Sequence, residues 1–162
     1  MENITNAEKA RLIISQNNYM TLATSDRNGI PWSAPLYYAF DDKYNFFFIS
    51  ANDALHVAHI KENSHVAISI FDSHAPVGEG DGVQIEASAF AAGLLELPHI
   101  LSVYFRRRFP SEMERIKHHH LPTEYMGKNL FWFFRVAPIK VYTLDLTVTK
   151  VDKRIEVDLL EA

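Results

Sequence analysis

The sequence predicts a mainly β fold, an antiparallel β-barrel with a few peripheral helices. Three observations carry this. Short stretches with a period of two recur at regular spacing, the first strands are joined by loops too short for a parallel crossover, and few helical segments lie between strands. The chain has 162 residues, a usual size for one domain, and its 48% hydrophobic and 22% charged residues are ordinary for a globular protein. A single domain over residues 1–162 is expected, with an N-terminal helix at 5–17, a barrel core at 19–144 and a tail at 145–162.

Thr5-Asn6-Ala7-Glu8 reads as a capping box, and Ala10, Ile13 and Ile14 continue it at helical spacing to Asn17. From Tyr19 the period becomes two, with Met20, Leu22 and Thr24 on one face. Asp26-Arg27-Asn28-Gly29 predicts a hairpin turn with Gly29 at positive φ. Ile30 to Phe40 is the second predicted strand, Asp41-Asp42-Lys43 a turn, and Tyr44 to Ser50 the third strand. Pro35 cannot donate to a ladder, so an edge or a bulge is expected there. Asn52 or Asp53 is placed to cap a short helix ending at Lys61.

His65 to Phe71 and Val83 to Ala92 follow as strands, separated by the Gly- and Pro-rich loop Asp72 to Gly82. Leu94 to Arg108 reads as helix, stopped by Pro110, and Ser111-Glu112-Met113-Glu114 opens another helical turn. After a polar loop from Lys117 to Lys128, Leu130 to Val136 and Ile139 to Leu144 are predicted as two strands divided by Pro138, with a β-like tail beyond.

Composition removes several functions. There is no cysteine, so disulfides, thiolate metal sites and cysteine nucleophiles are excluded, and redox chemistry would need a bound cofactor. A net charge of −4 gives no general attraction to nucleic acid, although Arg106 to Lys117 is locally basic. No apolar run approaches a membrane span, and Met1-Glu2-Asn3-Ile4 is not a signal leader, so a cytoplasmic location is expected.

Several motifs have plain structural readings. Gly78-Glu79-Gly80-Asp81-Gly82 opens a strand rather than a helix and carries two carboxylates, which favours a turn over a phosphate loop. His118-His119-His120 points in successive directions with no carboxylate at ligand spacing, so no metal site is expected there. His56 and His59 share a helix face but lack a third ligand, which favours local hydrogen bonding. Arg106-Arg107-Arg108 ends a helix, where positive charge complements the dipole. No Ser, His and Asp set with a fixed geometry is visible, so no catalytic residue is named.

The region around Ser50 differs. A strand ends at Phe48-Ile49-Ser50 just before a helix begins, and helix N-termini gather unpaired amides that suit a phosphate. Upstream, Trp32-Ser33-Ala34-Pro35 sets a large ring and small residues on a strand interrupted by proline, where backbone approaches a flat ligand closely.

These residues also carry a resemblance. Ile30-Pro31-Trp32-Ser33-Ala34-Pro35-Leu36-Tyr37-Tyr38, Phe47-Phe48-Ile49-Ser50 and Asp53-Ala54-Leu55-His56, taken in order, resemble the pyridoxamine 5′-phosphate oxidase-like FMN-binding split-barrel family. Ile70 to Val83 is similar to the same loop in bacterial members, and Phe134 to Tyr142 to the closing strands. The resemblance implies a split barrel that forms a homodimer with FMN at the subunit interface. It places Trp32, Ser33, Ala34 and Pro35 along the isoalloxazine, and Ile49, Ser50, Asn52 and His56 at the ribityl and phosphate. Gln84 would reach across the dimer.

The resemblance implies an FMN-dependent oxidoreductase acting on a small molecule. The alternatives are a non-catalytic dimeric protein binding flavin or another flat ligand, and a barrel acting through its dimer surface. No clear set of basic groups for a second phosphate stands near the closing strands beyond Arg135, which favours a related flavin reaction over pyridoxamine phosphate oxidation itself. Ala54 and Leu55 stand where bacterial relatives carry Ser and a basic residue. Each lost charged hydrogen bond weakens phosphate binding by roughly 1.5–3 kcal/mol. Leu55→Arg is therefore expected to tighten FMN binding about tenfold or more in a fluorescence titration. Unchanged affinity would move the phosphate elsewhere.

Overall fold

The computed structural model describes residues 4–77, 80–118, 121–145 and 153–161. Gly78, Glu79, His119 and His120 of the sequence motifs lie outside them. Helix α1 (Asn6–Gln16) starts at the predicted capping box: Thr5 Oγ1 accepts from the Glu8 amide at 3.1 Å, and the Glu8 carboxylate accepts from the Thr5 amide at 2.7 Å. The remaining elements are β1 (Tyr19–Ser25), β2 (Pro31–Tyr37), β3 (Ala39–Phe40), β4 (Phe46–Ala51), α2 (Leu55–Glu62), β5 (His65–Phe71), β6 (Gly82–Ala91), α3 (Leu97–Arg108), α4 (Glu112–Lys117), a 3₁₀ turn (Pro122–Tyr125), β7 (Phe131–Leu144) and β8 (Arg154–Val157).

The strands form one antiparallel sheet in the order β2-β1-β5-β6-β7-β4-β3, with β8 beside β7. It is a split barrel. Met20, Leu22 and Thr24 of β1 are buried, as the period of two predicts, and Gly29 has φ 81° in the hairpin turn. The first two strands pair from Tyr19–Tyr37 to Ser25–Pro31. Pro35 is tolerated because, among the described residues, β1 is the only partner of β2 in the sheet.

The predicted second strand does not run unbroken from Ile30 to Phe40. It stops at Tyr37 and resumes as β3, which pairs with β4 at the other end of the sheet. Tyr38 is the pivot. Its ring is fully buried, its hydroxyl donates to the Ile14 carbonyl at 2.6 Å and its amide to Asn18 at 3.3 Å. The third predicted strand accordingly pairs with β3 and β7, not with β2.

Pro138 does not divide two strands either. One 14-residue β7 passes through it, and the register against β6 skips a residue, Glu86 facing Lys140 while Ala87 faces Pro138. The bulge absorbs the missing amide. Gly82 starts β6 at a tight approach, since a Cβ there would lie 3.0 Å from the Ile70 carbonyl oxygen. The helix predicted from Leu94 begins at Leu97.

The apolar runs serve two cores. Phe46, Phe48 and Phe134 fill the barrel interior with Val57 and Ile60 of α2 and Ala10 and Ile14 of α1. Phe47 and Phe133 point to the other side, where Leu97, Ile100, Leu101 and Tyr104 of α3 cover them. A strand buried on both faces reads as a continuous apolar run, which is why no alternation shows there.

Tyr38→Ala is expected to destabilise the protein by about 3–5 kcal/mol and Tyr38→Phe by about 1–2. Urea unfolding measures both. A loss for Tyr38→Ala no larger than that of the exposed Phe71→Ala would contradict the pivot role.

Candidate functional site: the open seam of the barrel

The break at Tyr38 leaves two strand edges open to each other. β3 covers β4 only at Phe46 and Phe47, so from Phe48 to Ala51 that edge of β4 has no strand partner among the described residues. Among the described residues the edge of β2 away from β1 has none either, and β2 and β4 touch across the gap. Such edges carry unpaired backbone donors and acceptors.

The residues singled out in the sequence fall around this seam, though not on one surface. Trp32 and Ala34 share one face of β2, where Ala34 is buried and Trp32 is half exposed. Ser33 and Pro35 lie on the opposite, exposed face. Ser50 points to the interior, 8% exposed, whereas Ile49 packs against the second core below α3. Gln84 is exposed on β6, and the register Pro35–Thr21–Ser69–Gln84 sets it in the same cross-strand row as Pro35. Three interstrand steps amount to about 14 Å, so Gln84 is remote from its own seam.

At the base of the seam, Ser50 Oγ and His56 Nε2 share a 2.7 Å hydrogen bond, and the Phe48 ring lies 6.1 Å from the imidazole. Burial is the main cause that lowers the His56 pKa from 6.5, and the nearby His59 adds to it. His59 Nδ1 is 3.2 Å from Thr24 Oγ1. Both histidines are thus locally hydrogen-bonded, and among the described residues no group of three or more potential ligands gathers for a metal.

The helix cap differs from the expected one. Ala54, not Asn52 or Asp53, is the N-cap of α2 and offers no side-chain bond. Asn52 instead faces Lys61, whose Nζ donates to Asn52 Oδ1 at 2.7 Å and to its carbonyl at 3.3 Å. Leu55 is 48% exposed at the helix start. Among the described residues the amides of Asp53, Leu55 and His56 have no backbone acceptor. Sequence reasoning missed Lys61, because its six-residue separation from the helix start hides a side chain that folds back along the axis.

The other candidates are occupied structurally. Arg107 does not serve its own helix end. It donates to the carbonyls of Ile14, Ser15 and Asn17 at 3.4, 3.2 and 2.6 Å and lies over the Tyr38 and Phe40 rings. His118 stacks on Phe109 at 4.4 Å, and Arg135 pairs with Glu96 at 3.1 Å. Five of the clefts in the described surface, about 390 to 890 Å³ in volume, are lined by residues other than Trp32, Ser33, Ala34, Pro35, Ser50 and His56. No helix of the described residues is long and apolar enough to cross a membrane.

A split barrel with an open seam beside a helix start defines a class of small β proteins. Within it, the sequence matches the pyridoxamine 5′-phosphate oxidase family over residues 7–144, and the chain belongs to that family. Among solved structures, a heme-binding protein from Mycobacterium smegmatis superposes with a TM-score of 0.70 at 17% identity, over 97% of this chain and 59% of that one. The chain therefore spans about three-fifths of that protein's length. A heme storage protein from Vibrio cholerae gives 0.60 at 15% identity, covering 80% and 87% of the two chains. An FAD-binding protein from Mesorhizobium loti gives 0.58 at 20% identity, covering 85% and 90%. At these identities the likeness is one of fold. No curated protein matches the sequence.

The His56 environment makes stability depend on pH. A folded-state pKa held below 6.5 means that the unfolded chain takes up the proton first as pH falls. The contribution of His56 is therefore fully present above pH 6.5 and is lost as pH drops through the lower, folded value. Unfolding free energy is expected to fall below pH 6.5, less steeply in His56→Gln, with denaturant titrations as the check. Parallel profiles would contradict it.

Proposed function

We propose that the protein is an FMN-binding flavoprotein, an FMN-dependent oxidoreductase whose flavin lies along the open seam. The supporting observation is the pair of unpaired edges, β2 at Trp32 to Pro35 and β4 at Phe48 to Ala51, flanking the buried Ser50–His56 pair and the start of α2. The donor set suits the cofactor. Edge backbone groups match the polar rim of the ring, and the free amides of Asp53, Leu55 and His56 match a phosphate. Bound FMN would supply hydride transfer to and from a small-molecule substrate.

The chain's own part is to hold and enclose. Ser33 and Ala34 give close approach, Trp32 and Ile49 flank the seam from opposite faces, and Asn52 lies at its phosphate end. Ser50 holds His56 in one orientation. The remoteness of Gln84 from its own β2 supports a homodimer in which a partner completes each site. A cytoplasmic location belongs to this reading.

The rival reading is a non-catalytic binder of another flat ligand, heme included. Exposed, apolar Leu55 at the helix start favours it, because that position gives a phosphate nothing. The visible spectrum of the purified protein, before and after adding FMN or heme, decides between them. Flavin absorbance that NADH or NADPH bleaches is the expected result. A heme spectrum with no FMN uptake would support the rival, and no uptake of either would overturn both.

A further inference from the structure

We propose that Lys61 is the cation that holds the FMN phosphate, in place of a basic residue at the start of α2. The inference rests on the flavin reading above and adds a residue that the sequence pattern does not show. Lys61 lies near the C-terminal end of α2, yet its side chain runs back toward the N-terminus, as helical side chains tend to do. Its Nζ reaches the loop between β4 and α2, within hydrogen-bond distance of both oxygens of Asn52, and sits 5.4 Å over the Trp132 ring.

An ammonium has three hydrogens. Asn52 takes two, which leaves one to donate. Among the described residues no carboxylate pairs with Lys61, because neighbouring Glu62 is taken by Arg27. A neutral amide is a weak partner for a full charge, so the arrangement positions the cation without neutralising it. Trp132 pairs with Ser50 across β4 and β7, and its indole donates to the Asn129 carbonyl at 3.1 Å, so the ring under Nζ is itself fixed.

The same loop presents the unpartnered amides of Asp53, Leu55 and His56. His56 is 8% exposed, and Nε2 is committed to Ser50 while Nδ1 has no partner among the described residues. One cation held at Asn52 and three amides of the same loop and helix start thus stand where Ala54 and Leu55 contribute no polar side chain. A dianionic phosphate is the ligand chemistry that satisfies them together.

The test compares FMN with riboflavin, which has the ring and ribityl chain but no phosphate. Fluorescence titrations of the full chain, of Lys61→Gln and of Lys61→Arg give the affinities, and thermal unfolding checks that each variant is folded. Lys61→Gln is expected to weaken FMN about 10- to 100-fold and to leave riboflavin unchanged, while Lys61→Arg keeps most FMN affinity. Equal losses for both ligands, or no loss, would overturn the role of Lys61 while the flavin reading stands. A wild-type chain that binds neither ligand would overturn both.

Discussion

The architecture hangs on Tyr38, the single residue between two strands at opposite ends of one sheet. β2 must stop and β3 must start on the far side of the barrel within one residue. That is feasible because Tyr38 is anchored from three directions: hydroxyl to Ile14, amide to Asn18, and ring beneath the Arg107 guanidinium. Arg107 also satisfies carbonyls at the end of α1, whose last turn has no basic residue. Burial raises the Tyr38 phenol well above its ordinary pKa, so it remains a donor. Helix α1, helix α3 and both sheet edges are therefore tied to one buried ring.

The seam follows from that constraint. With β3 only two residues long, β4 has a free edge just where it approaches α2, and Pro31 and Pro35 keep β2 from extending the ladder. An open edge invites strand addition and aggregation. In the proposed reading it is covered by a flat ligand and a second subunit, which turns an exposed liability into a binding surface. Binding there asks little of side chains, which fits a β2 edge whose residues, Ser33, Ala34 and Pro35, are small and split between its two faces.

Much of this was legible in the sequence where the cause is local. The capping box at Thr5 and Glu8, the alternation of β1, the strand His65 to Phe71 and the hairpin glycine each rest on a few adjacent residues. The pivot at Tyr38 and the bulge at Pro138 were not, because each depends on a partner distant in sequence: Ile14 and Arg107 for one, Glu86 and Ala87 for the other. The Phe46 to Phe48 run signals a buried strand but not that it divides two cores. At the site, the strand end at Ser50 followed by a helix start was visible locally, while Ser50 and His56 were brought together only by the family resemblance. Lys61 was not, since its reach depends on the path of a long side chain along α2.

The central claim is that the seam seats FMN and is completed by a second copy of the chain. Native mass spectrometry of the protein reconstituted with FMN tests it most directly. The account predicts a dimer carrying two flavins. A monomer that retains one FMN, or a dimer that takes up none, would contradict it.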